Sequence, residues 1–334
     1  MPPHVPDIGT RSGRLYVSLN RLKSRGIMKN SQKKKIPLYP TRLKKGDTIG
    51  IIAPASPFNR TVFDRGVAVL KSMGFEIFVP EGLFHKKGYL AGSDIHRAEL
   101  VNRLFNDSSI DAIFCARGGF GSIRVLSHLN YESIRTHPKM CVGFSDVSAL
   151  LSALHSRCKL VTFHGPVVTF LGEASPKTID HLYTVLTTKE MLILHPENGV
   201  TIRSGLAKAR VIGGNLTSLC HLTGTPFQPD YKGHILVFED RGEKGYRIDR
   251  MLTQMKLAGC FDHIAGLVLG SFIDCGAIKD IFRIVDNIFD NDSIPILAGF
   301  DIGHGQHNLT IPLGVSATLD TDSQSLVYSE PWTL

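Results

Sequence analysis

The stretch Met140 to Leu154, MCVGFSDVSALLSAL, joins a short apolar run to a Gly143-Phe144-Ser145-Asp146 turn and then to an amphipathic helical pattern, with Val147, Leu150, Leu151 and Leu154 on one face, bringing one hydroxyl to a strand-to-helix corner. Two chemistries are open to Ser145. As an N-cap, its oxygen would accept an N–H from the first helical turn. As a nucleophile, it would sit exposed at the corner, where free N–H groups and the positive end of the helix dipole favour the anion formed when a carbonyl is attacked. The turn lacks the second glycine of G-x-S-x-G, so it is not the elbow of the α/β-hydrolases.

A serine nucleophile needs a base within hydrogen-bonding reach and a third group that orients the base, and both can be far away in sequence. The apolar run Ile235 to Phe238 ends in Glu239 and Asp240. Side chains alternate along a strand, so at most one of these carboxylates can face a given histidine. His304 lies in a loop between Gly303 and Gly305, after the strand-like run of PILAGFDIGHGQHN, and His307 is its neighbour and rival. A metal pair at His304 and His307 is expected to lack the carboxylate or thiolate that would complete a ligand set, so no metal is expected.

These residues need elements to carry them. Thr48 to Ala53, Glu76 to Val79, Asp111 to Ala116 and Leu160 to Phe163 read as strands. Between them, Val62 to Met73 and the segment after Ser93 or Asp94 read as helices. Strands that are apolar throughout and alternate with helices imply a parallel sheet covered on both faces. Ligands in such sheets sit at the carboxyl ends of the strands. One such end is GFSD. Another is Arg117-Gly118-Gly119-Phe120-Gly121-Ser122, where bare backbone N–H groups could approach a substrate oxygen. Gly119-Phe120-Gly121 opens like G-x-G-x-x-G, but Arg124 holds the third glycine position and no acidic residue follows suitably, so no dinucleotide and no other cofactor is expected.

The fold class expected is α/β: a parallel-sheet, flavodoxin- or Rossmann-like domain over residues 37–170, a linker over 171–200, and a smaller α+β or barrel-like domain over 201–334. The last is inferred from short strands near 207–212, 235–238, 267–269 and 315–319, with only a few helices between them, chiefly Ile248 to Ala258 before Gly259.

The formal charge of +8 resides at the start of the chain. Residues 1–36 hold nine of the 38 Lys and Arg and one of the 30 Asp and Glu, so the rest balances at 29 against 29. The body therefore offers no electrostatic case for nucleic acid. The first 36 residues have no apolar core of secretory type and are expected to be a disordered basic extension; a start at Met28 is compatible with this. Six cysteines without a C-x-x-C pair suggest reduced, buried thiols in a cytoplasmic protein. No run approaches the ~18 apolar residues of a membrane span.

RGGFGS, GFSD, HGP (164–166), GGNL (213–216), GTP (224–226), ILVFED, YRIDRML and GFDIGH occur in this order between about Pro37 and Leu319. In order and spacing the chain resembles the LD-carboxypeptidase family of serine peptidases, which includes murein tetrapeptide carboxypeptidases and microcin C immunity peptidases. The resemblance implies a triad of Ser145, Glu239 and His304, choosing Glu239 over Asp240 and His304 over His307. It also implies an oxyanion hole of backbone N–H groups, placed at Asp146 and Gly119. Because the family's substrates end in a free carboxylate, Arg117 becomes a candidate clamp, with bonding to loop carbonyls as its structural alternative. Phe120 stands where the family often has tyrosine.

The function implied is release of the terminal D-alanine from murein tetrapeptide by a cytoplasmic enzyme of peptidoglycan recycling, a homodimer as family members often are. The alternative is an immunity-type peptidase that cleaves aminoacyl or peptidyl nucleotides. That branch is expected to stack an aromatic ring on the nucleobase, and Trp332, the sole tryptophan, lies in the tail. A binding module that keeps the fold but not the chemistry is disfavoured by the three intact triad positions.

Overall fold

Six strands form the first sheet of the computed structural model, which describes Met1, residues 37–290 and residues 292–334. They are β1 (Thr48–Ile52), β2 (Glu76–Phe78), β3 (Ala112–Cys115), β4 (Met140–Gly143), β5 (Thr162–His164) and β12 (Ile311–Leu313), in the order β12-β5-β4-β3-β1-β2. All pairings are parallel except that of β12 with β5. Every residue of β3 and β4 is buried, as expected for strands covered by helices on both faces. Helices Arg60–Ser72 and Asp94–Asn106 begin where Asn59 and Ser93 cap them, their side chains accepting from the N–H groups of Val62 and His96.

The second sheet has eight strands: β6 (Leu192–Leu194), β7 (Val200–Arg203), β8 (Leu206–Asn215), β9 (His234–Arg241), β10 (Gly266–Ile273), β11 (Ile296–Ala298), β13 (Ser316–Asp320) and β14 (Ser325–Tyr328). Its order is β6-β14-β13-β8-β9-β10-β11-β7, with β8 to β11 parallel and antiparallel strands on both flanks. This sheet is open, ending in β6 and β7. No helix among the described residues is long and apolar enough to cross a membrane.

Two expectations need correction. Residues 171–200, read as a linker, carry the helix Pro176–Thr187 and strand β6. Ser175 caps that helix, Pro176 occupies its first turn, and Leu182, Val185 and Leu186 are buried beneath it. In addition, β12 crosses the assigned boundary, since it comes from the second half of the chain yet pairs with β5 of the first sheet. From residue 37 onward the described residues make one contact unit. The expectation for residues 1–36, Met1 apart, lies outside the described residues.

The helix behind Ser145, Ser148–Cys158, was expected to be amphipathic. Instead it is buried from Ser148 through Leu154, because it is sandwiched between the sheets. Leu150, Leu151 and Leu154 share a core cluster with Ile212, Leu216, Leu219 and Phe238 of the second sheet's side. A helix apolar on nearly all sides is a core helix, and each leucine buried in it contributes roughly 1.5–3 kcal/mol.

His155, in the last turn of this helix, places Nδ1 3.1 Å from the Leu160 carbonyl oxygen. Burial pushes its imidazole from the ordinary 6.5 down to about 4, and the hydrogen bond to Leu160 offsets only part of that. The folded state thus resists a proton that the unfolded chain accepts. Stability from this group is fully present above about pH 6.5 and is lost as pH falls towards 4, by up to about 3 kcal/mol. We expect the urea midpoint of the wild type to drop further between pH 7 and pH 4.5 than that of His155→Gln. Equal drops would mean that the imidazole is solvated in the fold.

Candidate active site

Ser145 lies two residues beyond the end of β4, after Phe144, and its backbone sits at φ 63°, in the left-handed region. A non-glycine residue there costs about 1–2 kcal/mol and persists only where its surroundings hold it. The corner does not use the hydroxyl as a cap. Phe144 precedes the short 3₁₀ turn Ser145–Val147 and Val147 precedes the following helix, and neither start has a side-chain cap bond. Of the two chemistries open to this serine, the capping bond is therefore not made.

The glycine turn after β3 comes down on this corner. A Cβ on Gly118 would lie 2.8 Å from Ser145 Cβ and 3.0 Å from its Oγ, so the backbone approaches as closely as only glycine permits. Gly119, at φ 103°, is packed equally tightly against Ser56. Asp146 ties turn and corner together, its Oδ2 accepting the Ser122 N–H at 2.8 Å. Among the described residues the N–H groups of Gly119 and Asp146 donate to nothing, which leaves both for a ligand oxygen.

Glu239 lies near the end of β9 with no exposed surface, and its Oε2 receives the His304 Nδ1–H at 2.6 Å and the His304 backbone N–H at 3.2 Å. Burial alone would raise this carboxyl; the imidazoles of His164 and His304 outweigh it and hold it down to about 2. With Nδ1–H committed to the carboxylate, Nε2 is the His304 nitrogen left to exchange a proton. The neighbouring carboxylate faces elsewhere, as strand alternation requires. Asp240 Oδ1 accepts from Asn215 Nδ2 and the Arg241 N–H, and its Oδ2 from the Thr217 N–H and hydroxyl. Burial raises the Asp240 carboxyl, and the Thr217 hydrogen bond opposes it.

Ser145, Asp146, Gly119 and His304 all line one cleft of about 520 Å³, together with Phe120, Asn215, Thr217, Ser218, His221, Asp240, Arg241 and Glu243. Arg117 is not among them. Its guanidinium donates to the Pro57 carbonyl at 2.7 Å, which is the structural role named as its alternative. The arginine that does face the cleft, Arg241, stands 3.5 Å from Asp274. His307 turns away to the Ser175 hydroxyl, 2.7 Å distant. Contrary to expectation, carboxylates do lie near it: ligand atoms of Glu197, Asp301 and His307 fall within 4.8 Å of one another. Lys177 already binds both acids, at 2.9 and 2.7 Å, and its ammonium supplies the positive charge there.

An uncommitted hydroxyl, an imidazole seated on a buried carboxylate, and two unpaired N–H groups at one cleft are the parts that acyl transfer requires. Residues 49–165 match the model of the LD-carboxypeptidase N-terminal domain, and residues 208–319 that of its C-terminal domain. The chain belongs to the LD-carboxypeptidase family. Membership makes it a serine-type hydrolase with carboxypeptidase activity, as the eight ordered motifs implied.

A probable murein peptide carboxypeptidase of Bacillus subtilis is 34% identical over 297 residues, covering 86% of this chain and 93% of that protein. The murein tetrapeptide carboxypeptidase of Pseudomonas aeruginosa is 32% identical, with 81% and 92% covered. The microcin C7 self-immunity protein MccF of Escherichia coli is 31% identical, with 89% and 97% covered. Among solved structures, MccF in complex with glutamyl sulfamoyl guanosine superposes with a TM-score of 0.83 at 29% identity, covering 89% of this chain and all of that one. Muramoyltetrapeptide carboxypeptidase from Oxalobacter formigenes gives 0.75 at 28%, with 85% and 99% covered. These neighbours are two-domain α/β proteins, in agreement with the fold class expected here.

In this LD-carboxypeptidase, one glycine governs whether the imidazole can reach its carboxylate. Gly303 has φ 99°, and a Cβ on it would overlap Glu239 Oε2. We expect Gly303→Ala to displace the His304 loop, lower kcat by at least about a hundredfold and destabilise the fold by roughly 1–3 kcal/mol. Turnover and thermal unfolding of the same preparation check this; near-wild-type kcat would show that the loop can shift without loss. GGNL and HGP stand out as motifs in the chain, but nothing in the sequence assigns a role to Asn215, Thr217, Ser218 or His164, or singles out Arg241. A usable signal existed for the first of these, since Asn215 ends β8 and caps the helix that follows, its Oδ1 accepting the Ser218 N–H at 3.0 Å.

Proposed function

We propose that this enzyme cleaves the L,D-amide bond of murein tetrapeptide and releases the terminal D-alanine, with Ser145, His304 and Glu239 as its triad. The observation that carries the reading is Ser145 itself: a strained left-handed residue whose hydroxyl caps no helix, in a cleft it shares with a histidine seated on a buried glutamate. His304 Nε2 takes the proton from Ser145 Oγ, which attacks the carbonyl carbon of the L-configured centre. Glu239 holds the imidazole in the required tautomer and stabilises its cationic form. The N–H groups of Gly119 and Asp146 bind the oxyanion. His304 then protonates the departing D-alanine amine, and water hydrolyses the acyl-enzyme by the same relay. Arg241, at the rim, is better situated than Arg117 to meet the substrate's carboxylate.

The names of the Bacillus and Pseudomonas relatives support a murein peptide as substrate and a place in peptidoglycan recycling. Six free, buried cysteines accord with a cytoplasmic location, and a homodimer remains part of the proposal by family analogy. The immunity-type reading, cleavage of an aminoacyl or peptidyl nucleotide, is favoured by the higher TM-score to MccF. Against it, Trp332 is buried, donating to the Val185 carbonyl at 2.8 Å, and offers no face to a nucleobase. Purified protein incubated separately with murein tetrapeptide and with an aminoacyl nucleotide decides between the two. Release of free D-alanine from the first supports the proposal, and turnover of the second alone overturns it in favour of the immunity type.

A further inference from the structure

Glu239 has two carboxylate oxygens, and the triad uses only one. Oε2 serves His304, while Oε1 points at a second imidazole, His164 Nε2, 3.7 Å away. Neither residue has any exposed surface. Among the described residues Oε1 and both ring nitrogens of His164 lack a hydrogen-bond partner, so three buried polar atoms of unmet capacity lie together. Leaving such atoms unpaired costs about 1–3 kcal/mol each, which makes an accidental grouping expensive.

The position of His164 is as informative as its contact. It ends β5, paired with Gly143 of β4 two residues before Ser145 and with Ile311 of β12. Its Cδ2 comes within 3.2 Å of where a Cβ on Gly214 of β8 would lie, so the ring stands where the two sheets meet. Phe144 packs against it, ring centroids 6.1 Å apart, and against His304 at 4.8 Å. His164 does not line the cleft.

We propose that His164 is a positioning residue of the reaction: its Nε2–H is directed at Glu239 Oε1, fixing the carboxylate between two imidazoles and keeping it ionised for His304. This rests on the triad reading above. The groups facing Glu239 are His304 from the loop after β11 and His164 from β5. Asp240 is the next residue on its own strand, and β10 contributes the uncharged Gly270, where a Cβ would stand 3.2 Å from Glu239 Cβ. A donor at Oε1 stabilises the deprotonated Glu239–His304 pair. Removing that donor must therefore raise the pair's affinity for a proton, whichever member takes it.

The test is a set of variants assayed for D-alanine release across pH. His164→Leu should fold, lose about 10- to 100-fold in kcat with KM within about twofold, and show the acid limb of its kcat/KM profile moved to higher pH. His164→Gln, which restores an N–H donor of similar reach, should recover to within about fivefold of wild type. Placed in a Glu239→Gln background, His164→Leu should add less than about threefold, because its only route to the reaction has already been neutralised. A leucine variant with wild-type kcat and an unmoved acid limb overturns the inference, as does a double variant whose losses multiply. If His164→Leu does not fold, His164→Asn, too short to reach Oε1, is judged by the same criteria. Should Glu239→Gln itself keep more than about a tenth of wild-type activity, the triad reading fails and takes this one with it.

Discussion

Ser145→Ala is expected to fold as the wild type does and to release D-alanine about 10⁴ to 10⁶ times more slowly, the scale on which a triad enzyme loses turnover when its nucleophile is removed. The fold should not notice the change. The Ser145 hydroxyl makes no capping bond, and alanine carries the same steric penalty at φ 63° as serine does, so neither a hydrogen bond nor backbone strain is altered. Binding should survive as well, since the cleft, the glycine turn and the N–H groups of Gly119 and Asp146 stay in place. The measurement is single-turnover D-alanine release alongside thermal unfolding. A variant that unfolds at the wild-type temperature yet keeps most of the activity removes Ser145 from the mechanism.

Glu239→Gln is expected to lower kcat by about 10³ to 10⁴ while leaving KM within a few-fold, as for a triad whose acidic member is made neutral. The amide matches the carboxylate in shape but carries no charge, so under the proposed mechanism it would not stabilise the imidazolium formed when His304 takes the serine proton. It also presents an NH₂ group, which favours the wrong tautomer of the ring. KM is spared because Glu239 is buried and does not line the cleft. The same substitution has a signature in stability. The Glu239 carboxyl is held near 2 in the fold against 4.5 ordinarily, so its ionised form contributes stability above about pH 4.5 that is lost as pH falls towards 2. The glutamine variant should lack that part of the acid dependence. Parallel kinetics and urea titrations at pH 7 and pH 3 check both halves; unchanged kcat would require a different partner for His304.

Much of the fold was legible in the chain alone because it is written in short-range chemistry. The apolar runs at 48–53, 111–116 and 140–143 became β1, β3 and β4. Ser93, one of the two caps offered for its helix, begins it, and Gly259 follows the helix Gly245–Leu257. Period, caps and breakers act over a few residues and survive in one dimension. The same holds for the corner at Ser145, where an apolar strand, a tight turn and a helix adjoin in sequence. The choice of Glu239 and His304 required the family's motifs, since spacing alone could not settle it against Asp240 and His307.

What the chain alone left open depends on pairings between distant segments. Registration of β8 against β9 sets Asn215 beside Glu239, and the strand's alternation then turns Asp240 to the Asn215–Thr217 corner rather than to a histidine. Pairing of β12 with β5 carries the second half of the chain into the first sheet, and no local pattern announces it. Helix Pro176–Thr187 is hidden in the sequence although Ser175-Pro176 is a sound start signal, because a 30-residue stretch with two prolines reads as a linker until its apolar face finds a partner. His164 is the extreme case: in sequence it is a histidine at the end of a strand, and only when two sheets meet does it come to face the oxygen of Glu239 that His304 leaves free. The corner of the proposed nucleophile is local and so could be read directly, whereas the geometry that would make it reactive is assembled from five strands and two loops that sequence distance keeps apart.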